Sequence, residues 1–300
     1  MKKRQDLYES VTNKIIAQLE EGKLPWVRPW NNAGATPLAI PRNARTGNRY
    51  SGINVFILWD AGESFGQYKW VTYKQAQAMG GNVRKGESGV RIYYADRFIP
   101  KAEKAKAAET GDDAKPVWFL KGYTVFNIEQ CDGLPESLFE RPAGPLPDKQ
   151  AVPIAEDLIK ATGADFRIGG NSAYYVPSAD FIQVPPQESF KDQVNYYRTC
   201  FHELGHWTGH KSRLDRNLDK GDGFGSKHYA KEELVAEMAT AFVCASLGIV
   251  PTVRHADYIG SWLEVLNNDN RFVFKAASLA SKAADYLLAF AESEEEKEAA

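Results

Sequence analysis

Residues 200–210 read Cys200-Phe201-His202-Glu203-Leu204-Gly205-His206-Trp207-Thr208-Gly209-His210. A helix places side chains four apart on one face, so His202 and His206 project together, one turn apart. Two imidazole nitrogens at that spacing hold one divalent ion, with Zn–N distances of about 2.0–2.1 Å. Glu203 follows the first histidine and is placed to take a proton from a water molecule at that ion. A catalytic zinc has three protein ligands and one open position, so a third ligand is required. His210 extends the same row, but a further turn carries it about 6 Å along the axis, past a shared site. The long three-histidine pattern needs its third ligand at position 212, which is Ser212. His210 therefore reads as a residue that supports or caps the helix.

The next helical stretch reads Tyr229-Ala230-Lys231-Glu232-Glu233-Leu234-Val235-Ala236-Glu237. Glu233 and Glu237 share a face opposite Glu232, while Ala236, Ala239, Phe242 and Val243 bury a neighbouring one. Glu233 is the expected third ligand, and Glu237 the expected acceptor for the N–H of a ligand histidine. His228 is the rival third ligand, and His255 reads as a surface histidine. One divalent ion is expected, zinc first and manganese as the alternative. This half resembles the zincin metallopeptidases, in the branch where HExxH is followed by ExxxD or ExxAD. Its last position here is Glu237 instead of Asp. The resemblance implies that Phe181-Ile182-Gln183-Val184 forms the sheet edge along which a peptide lies extended.

The 300 residues are 43 % hydrophobic and 25 % charged, an ordinary globular mixture that excludes general disorder. No apolar run reaches the ~18 residues of a spanning helix, so no membrane partner is expected. Cys131, Cys200 and Cys244 are odd in number and form no CxxC pair, which fits a reducing cytoplasm. The net charge of −2 hides an asymmetry: residues 1–140 hold 20 Lys/Arg against 16 Asp/Glu, the remainder 17 against 23. Prolines 135, 142, 145, 147 and 153 mark the best boundary. We read residues 1–135 as one domain, 136–152 as a Pro-rich linker, 153–292 as a second domain and 293–300 as an acidic, fraying tail. Both domains are expected to be α+β, the first built on a small mixed or antiparallel sheet. Helices are predicted over 6–19, 73–79, 154–161, 192–210, 230–247, 256–267 and 271–291, and strands over 69–73, 89–99 and 117–127. The Ala/Lys/Glu/Asp stretch 101–115 reads as a solvated insertion between two strands. Two separate apolar cores are expected, so that a fragment ending near Pro135 folds alone.

In the front half, basic and aromatic residues interleave: Trp26, Arg28 and Trp30; Arg42, Arg45 and Arg49; Lys69 and Trp70; Arg84 and Lys85. Aromatic faces stack on unpaired bases and cations track phosphates, a pattern that fits single-stranded DNA. Thr46-Gly47-Asn48-Arg49-Tyr50-Ser51-Gly52-Ile53-Asn54, Trp70-Val71-Thr72-Tyr73-Lys74-Gln75-Ala76, Val83-Arg84-Lys85-Gly86-Glu87-Ser88-Gly89 and Gly122-Tyr123-Thr124-Val125-Phe126-Asn127 follow in series. This order resembles the N-terminal domain of the ArdC antirestriction proteins, and with the zincin motif behind it the resemblance covers nearly the whole chain. It implies a plasmid-borne cytoplasmic protein that binds single-stranded DNA, carries a metallopeptidase-like domain and shields incoming conjugative DNA from restriction. A protein substrate would be a restriction or DNA-bound protein. Two other readings are a non-enzymatic DNA-protecting protein with a structural metal, and a metalloprotease without antirestriction role. The intact Glu203 favours the enzyme, because a structural metal needs no general base.

Overall fold

The computed structural model describes residues 7–27, 39–100, 103, 117–140, 146–216, 227–250 and 258–298. The front half opens with α1 (Leu7–Glu20), followed by β1 (Arg42–Asn43) and α2 (Ile53–Ala61). Then come β2 (Lys69–Thr72), α3 (Tyr73–Ala78), β3 (Asn82–Val83), β4 (Val90–Phe98), β5 (Val117–Asn127) and β6 (Cys131–Asp132). The switch from β2 to α3 is written locally as a capping box. Thr72 Oγ1 accepts from the Gln75 N–H at 3.2 Å, and Gln75 Oε1 accepts from the Thr72 N–H at 2.9 Å. The sheet order is β1-β2-β5-β4, with β1 and β2 parallel and the other pairs antiparallel. Because β2 pairs only with Thr72–Trp70 against Val125–Asn127, the rest of β5 runs as a two-stranded ribbon with β4. That ribbon joins Phe98 to Val117, so the expected insertion over 101–115 connects its two strands; apart from residue 103 it lies outside the described residues.

The back half comprises α4 (Asp148–Thr162), β7 (Asp165–Ile168), β8 (Tyr174–Val176), β9 (Phe181–Val184), α5 (Gln193–Trp207), α6 (Lys227–Ser246), α7 (Ile259–Asn268) and α8 (Phe272–Glu298). Three boundaries differ from the sequence reading. Helix α4 starts inside the expected linker, where the Gln150 and Ala151 N–H groups close on the Pro147 carbonyl at 2.8 and 3.0 Å. Helix α5 ends at Trp207, because the chain folds back and the Leu214 N–H reaches the Thr208 carbonyl at 3.0 Å. Helix α8 continues through most of the expected tail, to Glu298. The small sheet has order β7-β9-β8. Phe181–Val184 is therefore its middle strand, paired on both sides, and not the edge that the resemblance implied.

The apolar core does not divide at the prolines. Ile15, Leu19, Trp26, Phe56 and Trp59 belong to the same buried cluster as Phe201, Phe242, Trp262 and Leu287. Trp26 meets Trp262 edge-on at 5.4 Å, and Phe56 stacks on Phe242 at 4.9 Å. Polar ties cross the same seam: the Gly52 N–H donates to Ser281 Oγ at 2.8 Å, and Thr12 Oγ1 to the Asn270 carbonyl at 2.6 Å. Among the described residues, the front half keeps two small clusters of its own, around Val71 and Ile128 and around Leu58 and Trp70. A fragment cut near Pro135 would thus expose Trp26, Phe56 and Trp59, which corrects the expectation of two separate cores. Trp262→Ala should cost about 3–5 kcal/mol. It should lower the melting of both halves together in a single calorimetric transition; unfolding of the back half alone would show that the shared cluster does not couple them.

Candidate metal centre

Gly205 decides how close α5 and α6 come. A Cβ at Gly205 would lie 3.2 Å from Ala236 Cα and 3.3 Å from Ala236 Cβ, so the helices meet with almost no side chain between them. Close beside this contact, Glu233, one turn before Ala236, is delivered to His202, one turn before Gly205, and to His206, directly after it. His202, His206 and Glu233 offer ligand atoms all within 4.8 Å of one another. The two Nε2 atoms are 3.1 Å apart, and each stands 3.3 Å from an oxygen of Glu233. His202 and Glu233 are buried, as is Glu203. Two neutral-capable imidazoles and a carboxylate converging at one point form the donor set of a catalytic zinc or a similar divalent ion.

Behind each histidine lies a second carboxylate. Glu237 Oε1 is 3.8 Å from His202 Nδ1, and Glu232 Oε1 is 3.5 Å from His206 Nδ1. The sequence reading set Glu232 on the opposite face; the structure corrects this. Ala236 marks the direction of contact, and at about 100° per residue it falls between Glu232 and Glu233, so both reach α5. Arg216, which the sequence reading passed over, donates to Glu232 from a fully buried guanidinium. His210 instead turns away after the helix end, its Nδ1 2.7 Å from Ser212 Oγ. The side chain of His228, and all of His255, lie outside the described residues.

Charge at this centre is lopsided. Burial pulls the His202 and His206 pKa values down, but Glu233 and its neighbouring carboxylates outweigh it and hold both above their ordinary value, His206 well above. Burial likewise pushes Glu233 up, and the two imidazoles more than offset it, holding its carboxyl far below the usual range. In the metal-free protein the histidines therefore keep their protons beyond the ordinary range. Raised imidazole pKa values contribute stability in full below the unfolded value of about 6.5 and lose it as pH rises through the folded values. A metal needs both nitrogens deprotonated, so it must displace those protons. Zinc affinity should consequently fall as pH drops, across a window above pH ~6.5. Calorimetric titrations in buffers of different ionisation enthalpy should register proton release; affinity flat across that window would contradict it.

Comparison with known proteins places this centre. Residues 153–279 match the model of a zincin-like metallopeptidase, and residues 5–126 that of the N-terminal domain of anti-restriction factor ArdC. The metal-free crystal structure of antirestriction ArdC protein from R388 plasmid superposes with a TM-score of 0.78 at 42 % identity, covering 96 % of this chain and 98 % of that one. The chain belongs to the ArdC antirestriction family. A Mn(II)-bound structure of the same R388 protein matches with a TM-score of 0.77, over 95 % and 98 % of the two chains. Protein y4eC of Sinorhizobium fredii is 39 % identical over 94 % of this chain and 91 % of its own. DNA primase TraC of Escherichia coli is 41 % identical over 97 % of this chain, which spans only 20 % of that primase. A zincin-like domain in an ArdC chain implies a divalent metal, and the trio above fits one.

The residues read as nucleic-acid contacts separate into groups. Trp26 and Trp70 are buried among apolar side chains and offer no face to a base. Arg28 and Trp30 lie outside the described residues. Arg84 spends its charge on Glu87 and Asp132, and Lys69 donates to the Leu138 carbonyl at 2.8 Å. Arg42, Arg45 and Arg49 lie on one turn, with the backbones of Arg42 and Arg49 paired antiparallel and the loop held by Asn43 Oδ1, which accepts from the Arg45 and Thr46 N–H groups. Lys85 is exposed. Among the described residues of the front half, the exposed aromatics are tyrosines, Tyr73 at 47 %, Tyr94 at 58 % and Tyr123 at 39 %. Strand alternation was the signal for two of them: Ile92 faces Tyr123 and Tyr94 faces Lys121 across β4 and β5, on one side of the ribbon.

The Gly205–Ala236 approach should be intolerant of bulk. Gly205→Val should destabilise the ArdC-type fold by about 1–3 kcal/mol through overpacking and weaken zinc binding as Glu233 retreats. Denaturant melts with and without zinc test both effects, and a variant that binds zinc normally would remove Gly205 from the argument.

Proposed function

We propose that this ArdC-family chain is a cytoplasmic antirestriction protein that binds single-stranded DNA with its front half and hydrolyses peptide bonds at His202, His206, Glu233 and Glu203. It would act on a protein bound at incoming plasmid DNA, such as a restriction protein. The observation that carries the enzymatic part is the convergence of the ligand trio, with Glu203 buried next to His202 on the same helix. A divalent ion bound there supplies Lewis acidity to a substrate carbonyl. His202, His206 and Glu233 would hold that ion, Glu237 and Glu232 would orient the imidazoles from behind, and Glu203 would accept a proton from the attacking water. Strand β8 pairs with β9 on one side only among the described residues and packs beside α5, so its outer edge is where an extended peptide would add.

Glu203→Gln should retain zinc and lose peptide cleavage, because an amide cannot take the proton. Metal analysis and proteolysis of wild type and variant, with and without single-stranded DNA, test this directly. Undiminished cleavage by the variant would remove Glu203 as base, and metal without any cleavage by the wild type would favour the non-enzymatic reading.

For DNA, the support is the Tyr94–Lys121–Tyr123 face of the ribbon, with Lys121 Nζ 5.2 Å from the Tyr123 ring, and the arginine turn. Tyr94→Ala or Tyr123→Ala should each weaken single-strand binding by ~1–3 kcal/mol and leave its salt dependence nearly unchanged. Arg45→Ala or Arg49→Ala should instead flatten the log–log salt slope by about 0.7. Anisotropy titrations at several salt concentrations separate the two, and equal affinity for duplex and single strand would refute the stacking surface.

A further inference from the structure

Beyond the ligands and the base, the turn after α5 contains a buried arginine whose guanidinium reaches the back of the metal centre. Arg216 lies in the fold-back that begins at Thr208, and Asp215 before it adopts a positive φ of 45°. The Arg216 N–H closes this turn on the Gly209 carbonyl at 3.1 Å. Its guanidinium, 1 % exposed, then lies across Gly209, where a Cβ would stand 2.7 Å from Nη2. From there it donates to the carbonyl of Gly205, to Thr208 Oγ1 and to both oxygens of Glu232. The same Glu232 stands behind His206 Nδ1. Gly205 is the close-contact residue of the motif, and His206 is one of the ligands.

We infer that Arg216 is a positioning residue for the metal site: it holds the Glu232 carboxylate against His206 Nδ1 and so fixes the ring that presents Nε2 to the ion. This rests on the reading of His202, His206 and Glu233 as metal ligands. Three features make the assignment specific. A planar fork makes two bonds to a carboxylate in a set orientation, which a single ammonium cannot. The fork's other donors satisfy the last carbonyls of α5, so the cation is anchored to the helix that carries His206. Gly209 leaves the room that the guanidinium fills. An imidazole whose far nitrogen is held by a carboxylate is fixed in tautomer and orientation, and loss of such a partner typically costs 10–100-fold in metal affinity. Arg216 acts one bond further out, through Glu232.

The test is a double-mutant cycle on the full chain, with zinc affinity read by competition with a chromophoric chelator at fixed pH. Glu232→Gln should lower zinc affinity about 10–100-fold, and Arg216→Met should lower it by a similar factor. The double variant should lose no more than the worse single, because both substitutions break the same chain of contacts. Arg216→Lys, which keeps the charge but not the fork, should recover only part of the loss. The melting temperature of each zinc-free variant is recorded alongside. Losses that multiply in the double variant, or an Arg216→Met protein that melts lower yet binds zinc normally, would reduce Arg216 to a structural clamp and overturn the inference. Should Arg216→Met fail to fold, Glu232→Gln decides, since unchanged zinc affinity there breaks the chain at its middle link. A wild type that binds no zinc would instead fail the ligand reading beneath it.

Discussion

Carboxylates gathered around two buried imidazoles set the terms for everything around the centre. Glu203, Glu233 and Glu237 are buried and Glu232 nearly so, and Glu232 is paired with the Arg216 guanidinium. Removing a carboxylate from water costs several kcal/mol unless a cation or donors compensate it. For Glu233 the two imidazoles meet that demand: its carboxylate raises their pKa values, and they hold its own far below the usual range. A divalent ion satisfies the same demand. Its arrival exchanges one set of positive charges for another, which is why such a site can persist in a core in either condition.

This constraint explains the packing around it. The charged groups lie between α5 and α6, and the outer faces of those helices join a large apolar cluster that α1 and α2 complete. A charge cluster of this kind contributes little to net stability, so the surrounding hydrophobic burial must hold the helices at contact distance. Residues from the front half do part of that work: Phe56 stacks on Phe242 of α6, and Trp26 braces Trp262 of α7. The two sequence families joined in this chain are thus one packing unit around the ligand helices.

Much of the centre was legible because it is local. The spacing of His202, Glu203 and His206 is read within one helix, and Glu233 follows from amphipathic spacing on the next. Glu232 was misplaced because a helical wheel has no knowledge of where the partner helix crosses; the Gly205–Ala236 contact sets that direction, and no periodicity encodes it. Arg216 escaped because its role depends on the chain folding back after Trp207, ending α5 before the row of histidines runs out. The strand pair of the ribbon was predicted to within a residue at each end, since alternation and β-branched content are also local. Trp26 and Trp70 show the opposite case. Their basic neighbours suggested exposure, but a large indole beside apolar side chains is worth more in the core. Tyrosine, with a polar tip, is the aromatic left outside.

Joining a basic, aromatic surface rigidly to a zincin-like centre would, on the proposed function, have a consequence that neither half has alone. A flexible linker would let the peptide-cutting groove sample many distances from the bound strand, and the effective concentration of any protein on that strand would fall with linker length. Here the seam is packed with indole and phenyl rings and tied by Gly52–Ser281 and Thr12–Asn270 hydrogen bonds. Such an interface holds one geometry, so binding a strand would fix where the groove lies relative to it. Selection among proteins on the DNA then need not come from side-chain pockets along β8; position on the strand can supply it. A short peptide edge would suffice for a substrate delivered in that way, and β8, three residues long and paired on one side only among the described residues, offers one.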